Sequence, residues 1–515
     1  MFSIVWNNSK GGLLMGRKWK KFIIFCFCGF FFSQSLFGTG YLVPEQGASN
    51  MSTGNAGAAV GMDASANWFN PAALIHLKGT QTSIGFTYIY TDPEYKGKNS
   101  NFTSFDPDYR DAIVPHTYIS HRIHKLLAVG LGITTPFGLE SNWGLDWQGQ
   151  RINTNTFLRT TIINPNLAFT LPESLVKRMA GIRLSFGIGL DIGFGRFILG
   201  RRIDQSGVGN PVDGNLKIIG GGKFDPIDFD KDILALGFNT GLLVEWKNFS
   251  LGVSYRNKMG YHVDHSKAAD ADFMNIDPLL QAAGIVDQKV NTRLFTPSIV
   301  MIGLMYRWKK FEFIFDAWWT DWSVFNTLHL DFQGSAPDST IEEHWHSSWA
   351  FRGGVRYYLK GAPLLKYKPV SEAAQDLKCE QCGKPVSSTD TKCPNCGAEF
   401  ESPISSPGAG VQRLVIPQDQ IYCAFGLYYD NTPIPDSTVS PTLPDSDRYG
   451  FSFGVGFKKG NFGADLGVLF LFSDDRYKNN LHGASSPPSV NDPFTANGKY
   501  TVWGFLIGFT IHFRI

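Results

Sequence analysis

From Trp503 to Ile515 every second residue is large and apolar: Trp503, Phe505, Ile507, Phe509, Ile511, Phe513 and Ile515. The residues between them include Gly504, Gly508, Thr510, His512 and Arg514. A strand turns successive side chains to opposite faces, so this period of two predicts a strand with one greasy face and one small, polar face. The pattern recurs. Phe462, Ala464, Leu466, Val468, Phe470 and Phe472 alternate with Gly463, Asp465 and Gly467, and Tyr449, Phe451, Phe453, Val455 and Phe457 alternate with Arg448, Gly450, Ser452, Gly454 and Gly456. It returns over Trp345–Tyr357, where Arg352 and Arg356 share the opposite face, and over Phe311–Asp316, where Glu312 and Asp316 do. Leu234–Trp246 and Phe249–Tyr255 repeat it less cleanly.

A soluble sandwich also alternates, but its outer face is rich in Lys, Glu and Thr. Here the second face is Gly and Ser with isolated charges, and the strands are long. Charged residues make up 18% of the chain, below the roughly 25% of a soluble domain, while Gly (55) and Phe (42) are abundant. These features predict an all-β transmembrane antiparallel β-barrel of about 14 strands, with lipid outside and a polar lumen. Connections alternate in length. Long segments are expected at 92–113, 135–152, 197–230, 264–290, 334–341, 431–445 and 476–496, and short turns at sites such as Lys247-Asn248, Lys309-Lys310 and Lys459-Gly460. Long loops outside and short turns on the periplasmic side are the barrel habit. A net charge of +2 gives no field that points to nucleic acid.

Arg17, Lys18, Lys20 and Lys21 precede the apolar run Phe22–Phe32, and Ser33–Ser35 follow. A basic start, a short apolar run and small residues are the parts of a secretory signal peptide over 1–35. The run is too short to anchor a helix across a bilayer. Residues 36–78 are rich in small residues yet too apolar for a disordered tail. They are expected to pack as a plug inside the barrel, with Asn70-Pro71 favouring a turn. The barrel is placed at 79–359 and 413–515.

The stretch Glu45–Leu74, "EQGASNMSTGNAGAAVGMDASANWFNPAAL", resembles the N-terminal hatch of FadL/TodX-type outer-membrane transporters of long-chain fatty acids and hydrocarbons. The match includes Asn70, Pro71 and Ala72 at the hatch's closing Asn-Pro-Ala. "TTPFGLESNW", "DWQGQ", "GFNTGLLVEWKNFSLGVSYRNKM", "DAWWTDWSVFNTL" and the late "YYDNTPIPDSTVSPTLPDSDRYG" resemble further family segments in the family's order. The resemblance implies passive transport of a hydrophobic molecule in the bacterial outer membrane, with no enzymatic step. The ligand would be caught among extracellular loops, pass to an internal pocket and leave sideways into the bilayer near a kinked strand, with the hatch controlling access. An apolar ligand gains about 25 cal/mol per Å² on leaving water, so a greasy path suits it better than a wet pore. Pro136 has no N–H and breaks a ladder, so Pro136, Phe137 and Gly138 are the candidates for the lateral opening. The rival readings are a polar-solute porin and a structural or adhesive barrel. The expected partners are the ligand and outer-membrane lipids, in a monomer.

Among other polar residues, Glu312, Asp316, Arg352 and Arg356 are expected in the lumen, paired with one another or with water. His344 and His346 stand two apart and would share one face of a strand at the barrel rim; a metal site there is the less favoured reading. Cys423 lies on an apolar strand face as an inert thiol.

The resemblance is interrupted by an insertion over 360–412. Within it, Cys379-x2-Cys382 and Cys393-x2-Cys396 resemble a short zinc ribbon, each pair followed by Gly (Gly383, Gly397). Four thiolates at this spacing suit a structural zinc ion; two disulfides, or iron, are the alternatives. Counting strands places the insertion after the tenth, in a periplasmic turn, where it would hold a possible periplasmic protein partner.

Overall fold

The computed structural model describes residues 40–97, 111–221, 233–368, 411–415, 419–478 and 497–515. The signal-peptide segment and the four ribbon cysteines lie outside the described residues. Fourteen strands form the wall. They are β1 (Thr80–Gly97), β2 (Asp111–His124), β3 (Leu127–Asn142), β4 (Asn155–Thr170), β5 (Arg183–Ile203), β6 (Ile233–Trp246) and β7 (Phe249–Arg256). They continue with β8 (Ser298–Trp308), β9 (Phe311–Asp321), β10 (Ser348–Lys360), β11 (Gln420–Asp430), β12 (Arg448–Lys459), β13 (Phe462–Ser473) and β14 (Gly498–Arg514). Each pairs antiparallel with the next, and β14 pairs with β1 from Gln81↔Arg514 to Gly97↔Gly498, so the sheet closes. Closure leaves no edge whose backbone groups would face lipid unpaired.

The alternation read in the sequence becomes an inside and an outside. Leu234, Leu236 and Phe238 of β6 are 53%, 62% and 44% exposed, while Ala235 and Gly237 between them are buried. The exposed apolar face is what lipid solvates. At the short-turn end Trp246, Trp308, Phe249, Phe457 and Phe462 ring the barrel, with Lys247 and Lys309 stacked over Trp246 and Trp308. At the other end Tyr449, Trp349 and Trp503 stand exposed. Two aromatic rings bracketing an apolar band match a membrane slab with its two interfaces.

Several boundaries differ from the sequence expectation. β1 runs on to Gly97 and β5 to Ile203, because the wall continues above the membrane. Within the long connections, strands at Gly214–Gly220, Met259–Val263, Ala269–Met274 and Gln288–Thr296 extend that rim. The loop expected from residue 135 is instead strand β3, held beyond that point by β4 and no longer by β2. β10 begins at Ser348, so Trp345, His344 and His346 belong to the preceding loop and not to a strand.

Residues 40–78 fill the lumen. They form only short helices, Ala48–Met51 and Ala66–Phe69, and a 3-10 turn at Pro71–His76. Their small side chains let backbone approach backbone. A Cβ on Gly252 of β7 would overlap the Ala58 carbonyl, and one on Gly426 of β11 would overlap the Gly54 amide. The glycines on the inner face are thus the seat for this segment. Its polar backbone is satisfied by the wall: Gly54 N donates to Ser452 Oγ at 3.0 Å, and Ala48 N to Thr510 Oγ1 at 3.2 Å.

Candidate functional site

The ladder between β2 and β3 stops early. It runs from His124↔Leu127 to His116↔Thr134, although β2 continues to Asp111 and β3 to Asn142. Extending the register would set Pro115 opposite Thr135 and Val114 opposite Pro136. Each strand therefore carries a proline just past the end of the ladder, and neither can donate. A bulge between Thr134 and Phe137 on the β4 side adds one residue and bends β3 inward, so Thr134 to Phe137 are all buried. The place of β2 is taken by the N-terminal segment. Val43 N donates to Pro136 O at 2.8 Å, Gly138 N to Tyr41 O at 2.9 Å, and Leu42 bridges Phe137. Pro136, Phe137 and Gly138, expected at a lateral opening, thus border a gap in the wall.

A cavity of about 390 Å³ occupies this gap. It is lined by Asp111, Ile113 and Val114 of β2, by Thr135, Gly138 and Glu140 of β3, and on the lumen side by Glu45, Arg448 and Leu506. Ile113 is 68% exposed on the outer surface and Leu506 is buried inside, so the cavity connects the two faces of the wall. Above it, toward the long loops, lies a smaller cavity of about 60 Å³ walled by Phe157, Phe197, Leu294, Phe325, Trp345 and Leu443. Both touch Leu139, Phe157, Leu158 and Leu443, and Tyr41 of the N-terminal strap stands at the smaller one. Tyr41 packs edge-on against Trp322 with ring centroids 4.6 Å apart, and its hydroxyl donates to the Phe295 carbonyl. The strap's start is held by Asp445 of the 431–447 loop, whose Oδ2 accepts from Gly40 N at 3.1 Å and from Thr432 Oγ1 at 2.6 Å. Burial pushes the Asp445 carboxyl up to about 6.

Asn70, Pro71 and Ala72 form one device. The Asn70 side chain accepts from Ala72 N at 3.0 Å as a helix cap, and donates to Ala58 O at 2.7 Å and to Leu242 O of β6 at 3.1 Å. Pro71 opens the turn where its missing N–H costs nothing. The cap therefore ties the segment to itself and to the wall.

The four expected lumenal charges are buried and paired. Glu312 accepts from Arg356 and from Arg307, both at 3.0 Å, and from the Tyr358 hydroxyl at 2.8 Å. Arg356 also reaches Ser49 Oγ of the N-terminal segment at 3.2 Å. Arg352 does not pair with Glu312 or Asp316. It meets Asp430 at 2.9 Å and lies over the Trp318 ring, and Asp430 holds Arg448 as well at 3.1 Å. Asp316 accepts Gly57 N at 2.8 Å, Ala58 N at 2.9 Å and Trp318 Nε1 at 3.1 Å. Removing one member of such a pair leaves a buried charge alone, at a cost of about 3–5 kcal/mol.

His344 and His346 are exposed and separated by the buried Trp345, so they do not come together with a third ligand. Among the described residues, the one His-carboxylate group close enough for a metal is Asp63, Asp465 and His512. Both His512 ring nitrogens there are already engaged, with Asp465 Oδ2 at 2.6 Å and Ser83 Oγ at 2.8 Å. Cys423 lies half-buried on β11, its Sγ 3.9 Å from the Tyr357 carbonyl. Sequence reasoning missed Pro115, Tyr41 and Asp445. A proline inside an alternating run was the visible signal for Pro115; the other two sit in loops without periodicity.

A family profile described as "Outer membrane protein transport protein (OMPP1/FadL/TodX)" matches residues 29–365, more than half of the chain. A putative outer membrane protein, NMB0088, of Neisseria meningitidis serogroup B is 25% identical over 360 residues, covering 64% of this chain and 75% of that protein. A long-chain fatty acid transport protein of Salmonella typhi is 22% identical over 356 residues, covering 63% of this chain and 79% of that protein. Among solved structures, a Pseudomonas aeruginosa FadL homologue superposes with a TM-score of 0.68 at 16% identity, over 92% of this chain and all of that one. The toluene transporter TodX of P. putida superposes with a TM-score of 0.59 at 12% identity, over 93% and 99%. These structural likenesses show the fold, and the closed wall with its two aromatic rings is the fold of an outer-membrane protein. The chain belongs to the FadL/TodX family of outer-membrane transport proteins.

Proposed function

We propose that this protein carries hydrophobic small molecules passively across the outer membrane and releases them sideways through the gap between β2 and β3. The observation that carries the reading is the cavity at that gap, lined at once by the exposed Ile113 and the buried Leu506. A molecule taken from the loops into the smaller apolar cavity has the strap of residues 40–43 and the shared apolar side chains Leu139, Phe157, Leu158 and Leu443 between it and the gap. No energy source is required: each step moves apolar surface away from water, at about 25 cal/mol per Å². Residues 40–78 act as the hatch. They seat on glycines and on the Asp316 and Arg356 side chains, and they shut the lumen to ions. The Salmonella relative is named for long-chain fatty acids and TodX for toluene, both apolar cargoes.

The insertion takes no part in this route. Its four cysteines, Cys379, Cys382, Cys393 and Cys396, hold a structural zinc ion, and the module meets a periplasmic partner. The support is their spacing and the position of the insertion between β10 and β11, at the short-turn end.

Uptake and conductance separate the readings. Cells carrying the intact protein should accumulate a radiolabelled hydrophobic tracer faster than cells without it, and the pure protein should conduct few ions in a planar bilayer. Deleting residues 40–78 should abolish selective uptake and open an ionic pore. Unchanged tracer uptake after the deletion would reduce the segment to a linker, and high conductance of the intact protein would make it a porin.

A further inference from the structure

The short-turn end of the barrel is basic. Each connection there has an exposed lysine in it or at its edge: Lys125, Lys177, Lys247, Lys309, Lys360 and Lys459. Two of them show where this collar stands. Lys247 Nζ lies 4.4 Å from the centre of the Trp246 ring, and Lys309 Nζ lies 5.0 Å from that of Trp308. Both tryptophans belong to the aromatic ring at the membrane interface, so the ammonium groups stand at the level of the lipid headgroups.

One place in the collar is hollow. A cavity of about 80 Å³ opens between the end of the hatch and the ends of β12, β13 and β14. Lys78, Lys458 and Arg514 line it, and among the described residues no aspartate or glutamate does. Its two histidines are engaged elsewhere: His76 meets Glu245 at 3.3 Å, and His512 meets Asp465 at 2.6 Å. Lys458 donates to Met62 O at 2.6 Å, which positions the ammonium with one of its three N–H groups. Phe462 and Phe513 line the same cavity, yet they are 43% and 42% exposed on the lipid-facing side, with ring centroids 5.5 Å apart. Three cations therefore share one hollow with an apolar lip.

A ligand with a phosphate head and an acyl tail fits both halves. Lys and Arg bind phosphate through charge-assisted hydrogen bonds. Each basic group near an anionic lipid surface is worth about fivefold in affinity. A zwitterionic head brings its own cation and forfeits most of that gain. We propose that Lys78, Lys458 and Arg514 form a seat for the phosphate of an anionic phospholipid in the periplasmic leaflet, with its acyl chains along Phe462 and Phe513. Lys78 ends the hatch, so the bound lipid ties that end to the leaflet. The seat is separate from the gap between β2 and β3 and does not depend on the uptake reading.

Native mass spectrometry of the full chain in detergent tests this, by titration with phosphatidylglycerol and with phosphatidylcholine of the same acyl chains. Phosphatidylglycerol should bind saturably and at least about tenfold tighter. Lys78→Gln combined with Lys458→Gln and Arg514→Gln should erase the preference. Lys78→Glu alone, outside every wall strand, should lower phosphatidylglycerol affinity several-fold even if the triple variant fails to assemble. Lys247→Gln with Lys309→Gln, outside the cavity, should retain the preference. Equal binding of the two lipids, or a preference that no seat variant lowers, overturns the proposal. A preference lowered as much by the Lys247 and Lys309 pair as by the seat variants makes it a diffuse effect of the collar and overturns the seat. Displacement of the lipid by millimolar inorganic phosphate makes the ligand the free ion and overturns the lipid assignment.

Discussion

Asp445 is a buried acid whose Oδ2 holds both Gly40 and Thr432 while Oδ1 has no partner. The charges nearest it are the arginines Arg448 and Arg476, and burial outweighs both, leaving the carboxyl at about 6. An unfolded Asp titrates near 3.9, so between roughly pH 4 and 6 the folded chain binds more protons than the unfolded one. The raised pKa therefore adds stability that is fully present below about pH 4 and lost as pH rises through 6. The strap amides at 40–43 should exchange hydrogen faster, beyond the intrinsic chemical trend, as pH climbs from 4 to 7. Asp445→Asn should flatten that dependence; an unchanged pH profile in the variant would show that Asp445 does not set it. Nothing local in "PTLPDSDRYG" distinguishes Asp445 from its neighbour Asp447, because burial is decided by the strap packing on it across the barrel. By contrast the turn at Asn70-Pro71 was legible, since proline fixes its own backbone and the chain turns there locally.

β3 illustrates how much an element reveals in isolation. Its alternation marks it as a strand, and Pro136 marks where the pairing fails. In a strand the N–H and C=O of one residue point the same way. The Pro136 carbonyl accepts from Val43, so the missing donor also faces the side from which β2 has withdrawn. What the sequence could not disclose is the replacement: residues 41–43 arriving from the far end of the lumen to pair in place of β2. That partnership is set by the fold of the whole segment and not by any period. Pro115→Ala together with Pro136→Ala restores a backbone donor in each strand at successive steps of the extended register and should let the β2–β3 ladder extend. Tracer uptake should then fall several-fold, with thermal stability in detergent equal to or above that of the wild type. Full uptake in the double variant would mean that the cargo does not leave by this gap.

At the level of the molecule, fourteen strands put the insertion on the short-turn side, because it follows the tenth. The strand count was readable from alternation alone, as was the division into long and short connections. The strand ends were not, since rim strands above the membrane lose the lipid-facing contrast that marks the rest. A tag at Ser388 should be inaccessible to surface label on intact cells and reachable once the outer membrane is permeabilised. Metal analysis of the pure protein should find about one zinc per chain, lost when Cys379 and Cys396 become Ser, with the barrel still folded. Labelling on intact cells would invert the topology, and zinc-free protein would favour disulfides. The insertion leaves and rejoins the wall through a short ladder, Leu364–Lys368 against Val411–Val415, which sets Lys368 opposite Val411. The entropy of closing that excursion is met at the neck, and it grows only slowly with the length of chain beyond. The barrel thus carries a socket: the sequence between residues 368 and 411 can be exchanged for an unrelated domain, natural or grafted, while β10 and β11 keep their register.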